Sequence, residues 1–184
     1  MNTLPNLLIW ALLVLSPIHL FGQNHPPLDI GETFSIHSNA TGQDIGRTPD
    51  QIRHIMGTPT DEIHGSTEGF GKYIVLEYGI SSVSFTEELD NRNRDFWIDY
   101  VEINDQRMFM RVNGVDIRVG ALAEELAEHF PKSWEARRFN WPSGDGYPQN
   151  EIMIIDFGDV SSVAILIDPA TGIITQVEYS VRLT

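Results

Sequence analysis

The chain has 184 residues, 41% hydrophobic and 21% charged, a globular composition that is neither disordered nor membrane-embedded. It carries 26 Asp and Glu against 12 Lys and Arg, a formal net charge of −14. That balance argues against nucleic acid and anionic membrane surfaces as partners, because phosphate contacts need clustered cations.

The first 22 residues hold no charged side chain, and 7–15 are almost purely apolar. This reads as a signal peptide over 1–22, cut between Gly22 and Gln23. No Lys or Arg precedes the apolar core, and Leu20 is large for its position. An uncleaved anchor is the alternative, but the run is shorter than the about 20 residues of a spanning helix. The mature protein is therefore expected in the periplasm or outside the cell, with no stable membrane insertion. The chain has no cysteine, hence no disulfide framework, thiol nucleophile or lipid-bearing cysteine. Residues 23–43 read as an N-terminal lead-in.

From there the chain resembles itself. Ile45-Gly46 with Ile52, Ile55, Met56 and Gly57 matches Val119-Gly120 with Leu126, His129, Phe130 and Pro131. Glu77-Tyr78-Gly79-Ile80-Ser81-Ser82-Val83 matches Asp156-Phe157-Gly158-Asp159-Val160-Ser161-Ser162-Val163 with one insertion. Val101-Glu102 matches Val177-Glu178. Three blocks in one order predict a duplication, with a first unit over 44–106 and a second over 107–184. The fold class expected is α+β: two tandem units, each a short helical segment packed on an antiparallel β-meander.

In the first unit Thr48 is a good N-cap, Pro49 suits the first turn and Asp50 complements the helix dipole. Gly57 stops this helix and Pro59 forbids its resumption. Strands are expected over 72–78, 81–87 and 96–103, separated by turn residues. Residues 107–112 are expected to bridge the units. In the second unit Leu122, Leu126 and Phe130 form a helical stripe that Pro131 ends. A further strand over 134–139 is followed by strands over 152–157, 161–167 and 173–181. The Gly- and Pro-rich stretches 65–71 and 141–149 read as loops.

The segment Gly46-Arg47-Thr48-Pro49-Asp50-Gln51-Ile52-Arg53-His54-Ile55-Met56-Gly57-Thr58-Pro59 resembles the opening of the BLIP-like and SmpA/OmlA envelope families. The tandem pair looks most like the β-lactamase-inhibitor-protein arrangement, and the resemblance covers about residues 44 to 181. It implies two helix-plus-sheet units presenting a sheet face to a protein partner. The second unit lacks the Thr and carries Pro131 in place of Gly, and the cysteines of both families are missing. The resemblance therefore implies the fold and a binding or assembly role, with no individual functional residue.

Catalytic signatures are missing from the sequence. No His-Glu-x-x-His zinc motif, nucleophile elbow or phosphate-cradling glycine loop occurs, so no catalytic residue, metal or cofactor is expected. His54 and His129 read as surface residues of the helices. Asn91, Asn93, Asp95 and Glu102 imitate part of a calcium loop, but Phe96 stands where that loop needs Gly, and a hairpin tip is the simpler reading. Glu77 with Asp156, and Glu102 with Glu178, are matched acids that one solvent-facing side of the sheets explains.

Strand alternation separates two faces. The inner face takes Ile74, Leu76, Tyr78, Val83, Phe85, Val101 and Ile103, with Met153, Ile155, Phe157, Val163, Ile165, Ile167, Val177 and Tyr179 in the second unit. The outer face mixes polar residues with Tyr73, Val75, Ile98, Tyr100, Ile152, Ile154 and Leu166, rimmed by Trp141 and Tyr147. Such a face either binds a partner or is covered by the other sheet and the loops. The function expected is an exported, non-catalytic module binding another envelope or secreted protein, inhibitor-like or as an assembly factor. The alternative is a small-molecule or lipid-binding envelope protein using a groove between the units.

Overall fold

A computed structural model describes residues 28–67, 71–87, 96–137, 151–158 and 161–181. Among these residues, ten strands and three short helices combine into a mixed α and β fold with antiparallel sheets. The strands are β1 (Phe34–Ser38), β2 (Asp61–Thr67), β3 (Gly71–Tyr78), β4 (Ser81–Glu87), β5 (Phe96–Ile103), β6 (Met108–Val112), β7 (Val115–Ile117), β8 (Glu151–Asp156), β9 (Ser161–Ile167) and β10 (Ile174–Val181). Seven form one sheet in the order β2-β3-β4-β5-β10-β9-β8, and β1-β6-β7 form a second.

Alternation along the large sheet sorts the side chains as their polarity demands. Leu76, Val83, Phe85, Val101 and Ile103 from one half, and Met153, Ile155, Val163, Ile165 and Val177 from the other, are fully buried. They share one core cluster with Ile36, Met110, Val112 and Ile117 of the small sheet and with Ile45, Ile52, Leu126 and Phe130 of the helical segments. Phe157, expected inside, is half-buried and packs edge-on to Phe34 and Tyr179.

Helix α1 (Pro49–Met56) forms as its sequence dictates. Thr48 accepts from the Gln51 N–H at 3.3 Å and the Gln51 amide oxygen accepts from the Thr48 N–H at 3.2 Å, a complete capping box. Gly57 ends it at φ 83°, a conformation that costs a residue with a Cβ. Arg53 grips Glu62 of β2 with two hydrogen bonds, 3.1 and 2.7 Å, fastening the helix to the sheet edge.

Five expectations need correction. Residues 107–112 are not a bridge: Met108–Val112 is the central strand of the small sheet, with Met108 and Met110 in the core. The lead-in contains β1, paired with β6 from Phe34↔Val112 to Ser38↔Met108. Pro131 begins a helix instead of ending one. A 3₁₀ turn covers Ala123–Leu126, α2 spans Pro131–Ala136, and the residues expected to start a strand at Trp134 are helical. Proline suits a first helical position because its missing N–H has no intrahelical role there. Leu122, expected in the stripe, is 52% exposed, and Ala123 takes the buried place.

Phe130 gives α2 no side-chain cap. Asp29 supplies one from 104 residues away: its carboxylate accepts from the Ser133 N–H at 2.9 Å, and its own N–H donates to the Ser133 hydroxyl at 2.9 Å. The same segment bonds the end of β8, Gly31 N–H to the Asp156 carbonyl at 2.7 Å and Asp156 N–H to the Asp29 carbonyl at 3.1 Å.

Candidate functional site

The outer face of the large sheet is the candidate site, and strand registers place its residues in rows. One row runs Asp61, Glu77, Ser82, Glu102, Glu178, Ala164, Ile154, each beside the next on the neighbouring strand. The row beside it runs Ile63, Val75, Ser84, Tyr100, Ser180, Ser162, Asp156. Beyond it lies Gly65, Tyr73, Thr86, Trp97. On the opposite flank lie Gln176, Leu166 and Ile152.

Of the expected binding residues, Tyr73, Val75, Tyr100, Ile152 and Ile154 stand on this face and are half-buried. Tyr73 lies across Gly65, where a Cβ would meet its ring, so the glycine makes room for the aromatic. Ile98 is not on this face. The register shifts between Ser84 and Phe85, pairing Phe85 with Ile98 and Ser84 with Tyr100, so Asp99 is the extra residue of a bulge. That bulge turns Ile98 inward, 6% exposed, and brings Trp97 to the outer face, where strict alternation did not put it. The signal was present in Phe96-Trp97-Ile98-Asp99-Tyr100-Val101: Ile98 and Val101 are both apolar but out of phase. The Asp99 carboxylate accepts from the Thr86 hydroxyl at 2.6 Å, holding the bulge. Leu166 keeps its outer-face register but is 3% exposed, so it is not an open contact residue. Trp141 and Tyr147 lie outside the described residues, as do Asn91, Asn93 and Asp95.

The centre of the face is electrostatically unusual. Glu102 and Glu178 stand directly opposite each other on β5 and β10, the strands that join the two halves of the sheet. The Gln176 amide nitrogen donates to Glu102 at 2.9 Å and to Glu178 at 2.6 Å, and Asn104 donates to Glu102 at 2.8 Å. Burial and the neighbouring Glu102 charge push the Glu178 carboxyl up to about 7, against the hydrogen bond from Gln176. Asp61 and Glu77 form a second like-charged pair in the same row. Among the described residues, no Lys, Arg or His shares this face with them.

The cations sit elsewhere. Arg118 covers the Phe109 ring at 3.4 Å on the outer side of the small sheet, leaving Phe109 1% exposed, and His37 stacks on the same ring. Arg111 and Arg118 bind Asp116 at 2.6 and 2.8 Å. Burial raises the Asp116 carboxyl, and these hydrogen bonds outweigh it and hold it below its usual range. An open cavity of about 270 Å³ adjoins, lined by Asn39, Gln106, Met108 and Arg118. The Arg118 guanidinium is already bonded to Asn39 and Asp116, so it presents no unengaged head group there. Among the described residues no three His, Asp or Glu side chains are grouped to hold a metal ion, and no helix is long and apolar enough to cross a membrane. Compared with models of known protein families, with curated proteins and with solved structures, the chain finds no match.

Proposed function

We propose that this chain is an exported, non-catalytic protein-binding module, inhibitor-like or an envelope-assembly factor, that engages its partner through the outer face of the seven-stranded sheet. One observation carries the reading: a single sheet face leaves Ile63 41% exposed and Tyr73, Val75, Trp97, Tyr100, Ile152 and Ile154 partly exposed, while the opposite face supplies Leu76, Val83, Phe85, Val101, Met153 and Ile155 to the core. Apolar and aromatic side chains left at a surface in one cluster are the usual material of an interface, and Tyr and Trp dominate its energetics.

A tandem architecture, with units over 44–106 and 107–184, belongs to the same proposal. Its support is the registers of the two hairpins: Leu76↔Val83 and Ile74↔Phe85 in one, Ile155↔Val163 and Met153↔Ile165 in the other. The third repeated block fits less closely. Val83 pairs with Val101, whereas Val163 pairs with Tyr179, two residues beyond Val177, a slip that keeps each residue on its face. The resemblance to BLIP-like and SmpA/OmlA units points the same way, toward a sheet face offered to a protein.

The test is capture from a native envelope and secreted extract by residues 23–184, beside a Tyr73→Ala/Tyr100→Ala version with unchanged circular dichroism. A partner retained by the first and lost by the second supports the module and its face. Equal capture by both removes the face from the interaction, and no capture by either removes the protein-binding reading.

A further inference from the structure

The edge of a sheet is a row of backbone N–H and C=O groups that another strand can pair, and folds usually close it off. Three of the four edges of the described sheets are closed. Beyond β1, Ile45 donates to the Ile36 carbonyl at 2.9 Å and Ser38 to the Gln43 carbonyl at 2.9 Å. Beyond β8, Asp29 and Gly31 bond the backbone of Asp156, and Arg137 of α2 holds Glu151 at 3.0 Å. Strand β7 has only three residues, too few to template a partner. Strand β2 is the exception: seven residues, paired with β3 on one side without a bulge, with no described strand on the other. It carries neither proline nor lysine. The Glu62 N–H takes the Asp61 carboxylate at 2.8 Å in place of a strand carbonyl.

We propose that the free edge of β2 pairs antiparallel with β2 of a second copy of this chain, about a two-fold axis at His64. Self-pairing stands whether or not the outer face also binds another protein. The strand's own sequence selects this occupant. Acids fill its first two positions and hydroxyls its last two. Reversal about His64 sets Asp61 opposite Thr67 and Glu62 opposite Ser66 of the other copy, so no acid meets an acid. Parallel pairing in register would set Asp61 on Asp61 and Glu62 on Glu62, which repel. Ile63, 41% exposed, falls opposite Gly65, across which the Tyr73 ring lies. Two Ile63 and two Tyr73 side chains then form an apolar cluster astride the axis, and β-branched against aromatic is a favourable cross-strand pair. Only His64 meets its own kind, on the opposite face, where each ring has Glu62 at 2.6 Å. The contact makes the two large sheets continuous, with their outer faces on the same side.

Sedimentation velocity of residues 23–184 tests this at pH 8, where imidazoles are neutral. The result expected is a monomer–dimer equilibrium that strengthens with salt, because each copy carries a formal −14 and screening lowers their repulsion. One strand pair is a smaller contact than a standard interface, so the dimer grows in over the micromolar to millimolar range. Ile63→Lys, which places a lysine on the edge, is expected to weaken association about tenfold. Leu122→Lys, at a comparably exposed apolar residue bridged to Ile173, is expected to leave it unchanged. The chain has no cysteine, so introduced ones report the register. Asp61→Cys and Thr67→Cys, both at exposed positions, should give a disulfide-linked dimer when mixed and oxidised, and none when either is oxidised alone. A monomer at every concentration and salt, undiminished association of Ile63→Lys, or linkage of either cysteine variant alone as readily as the mixture would overturn the proposal. A monomer that still captures an envelope protein would sink self-pairing and leave the protein-binding reading in place.

Discussion

Glu178 shows at the residue scale how a sheet position changes a side chain's chemistry. Its folded carboxyl titrates near 7, above the ordinary 4.5, because burial and the Glu102 charge both favour the neutral form. A raised folded value means that the stabilising protonated form is fully held below about pH 4.5 and lost as pH climbs through 7. Over that window the group is expected to remove on the order of 3 kcal/mol. Denaturant unfolding of wild type and Glu178→Gln across pH 4–8 checks this: the variant's curve lacks the decline, and identical slopes would refute the assignment. Ile98 makes the complementary case. Its bulge-driven burial predicts a loss of about 2–4 kcal/mol for Ile98→Ala, measured as a shifted denaturation midpoint. Trp97→Ala, one position away on the outer face, should cost less stability and act on partner capture.

At the scale of the element, helix ends decide stability. Helix α2 borrows its N-terminal cap from Asp29, so Asp29→Ala is expected to cost about 1–2 kcal/mol, with Asp29→Asn restoring part of it, both read from thermal unfolding. This cap was invisible in the sequence because its two partners are far apart along the chain. Helix α1 was legible, since Thr48, Pro49, Gln51 and Gly57 act within a few residues of one another. The inner faces of β3, β4, β8 and β9 were legible for the same reason: both hairpins run without a bulge, so a local period-2 count holds. What escaped depended on long-range pairing. β1 and β6 are too short to announce themselves, β2 reads as a polar Gly-bearing loop until β3 pairs with it, and Pro131 carries the same identity at a helix start as at a helix stop. On the candidate face, Tyr73, Val75, Tyr100, Ile152 and Ile154 followed from period-2 counting. Trp97 and Ile98 did not, because a bulge resets the count.

For the whole molecule, the pairing of β5 with β10 is decisive. It joins strands from both halves into one sheet, and residues from both halves share one core cluster. Calorimetric unfolding is therefore expected to show one transition, with van't Hoff and calorimetric enthalpies in agreement. Two resolved transitions would mean that the halves are energetically separate despite the common sheet. The charge distribution also belongs to this scale. With a formal net charge of −14, the molecule is expected to attract basic partners more than acidic ones, an attraction that rising salt weakens.

The clasp between Asp29, Ser133 and β8 bears on time as well as stability. Residues near the start of the chain reach their partners only after a helix 104 positions later has emerged, and β5 meets β10 across a comparable gap of 74. Closing such distant loops comes before most of the energy they release, so folding is slow relative to a chain of local contacts. A polypeptide threaded from its N-terminus through a narrow passage would be unable to close this clasp until more than a hundred residues beyond Asp29 had passed. The architecture that fastens the finished molecule thus keeps the unfinished one open.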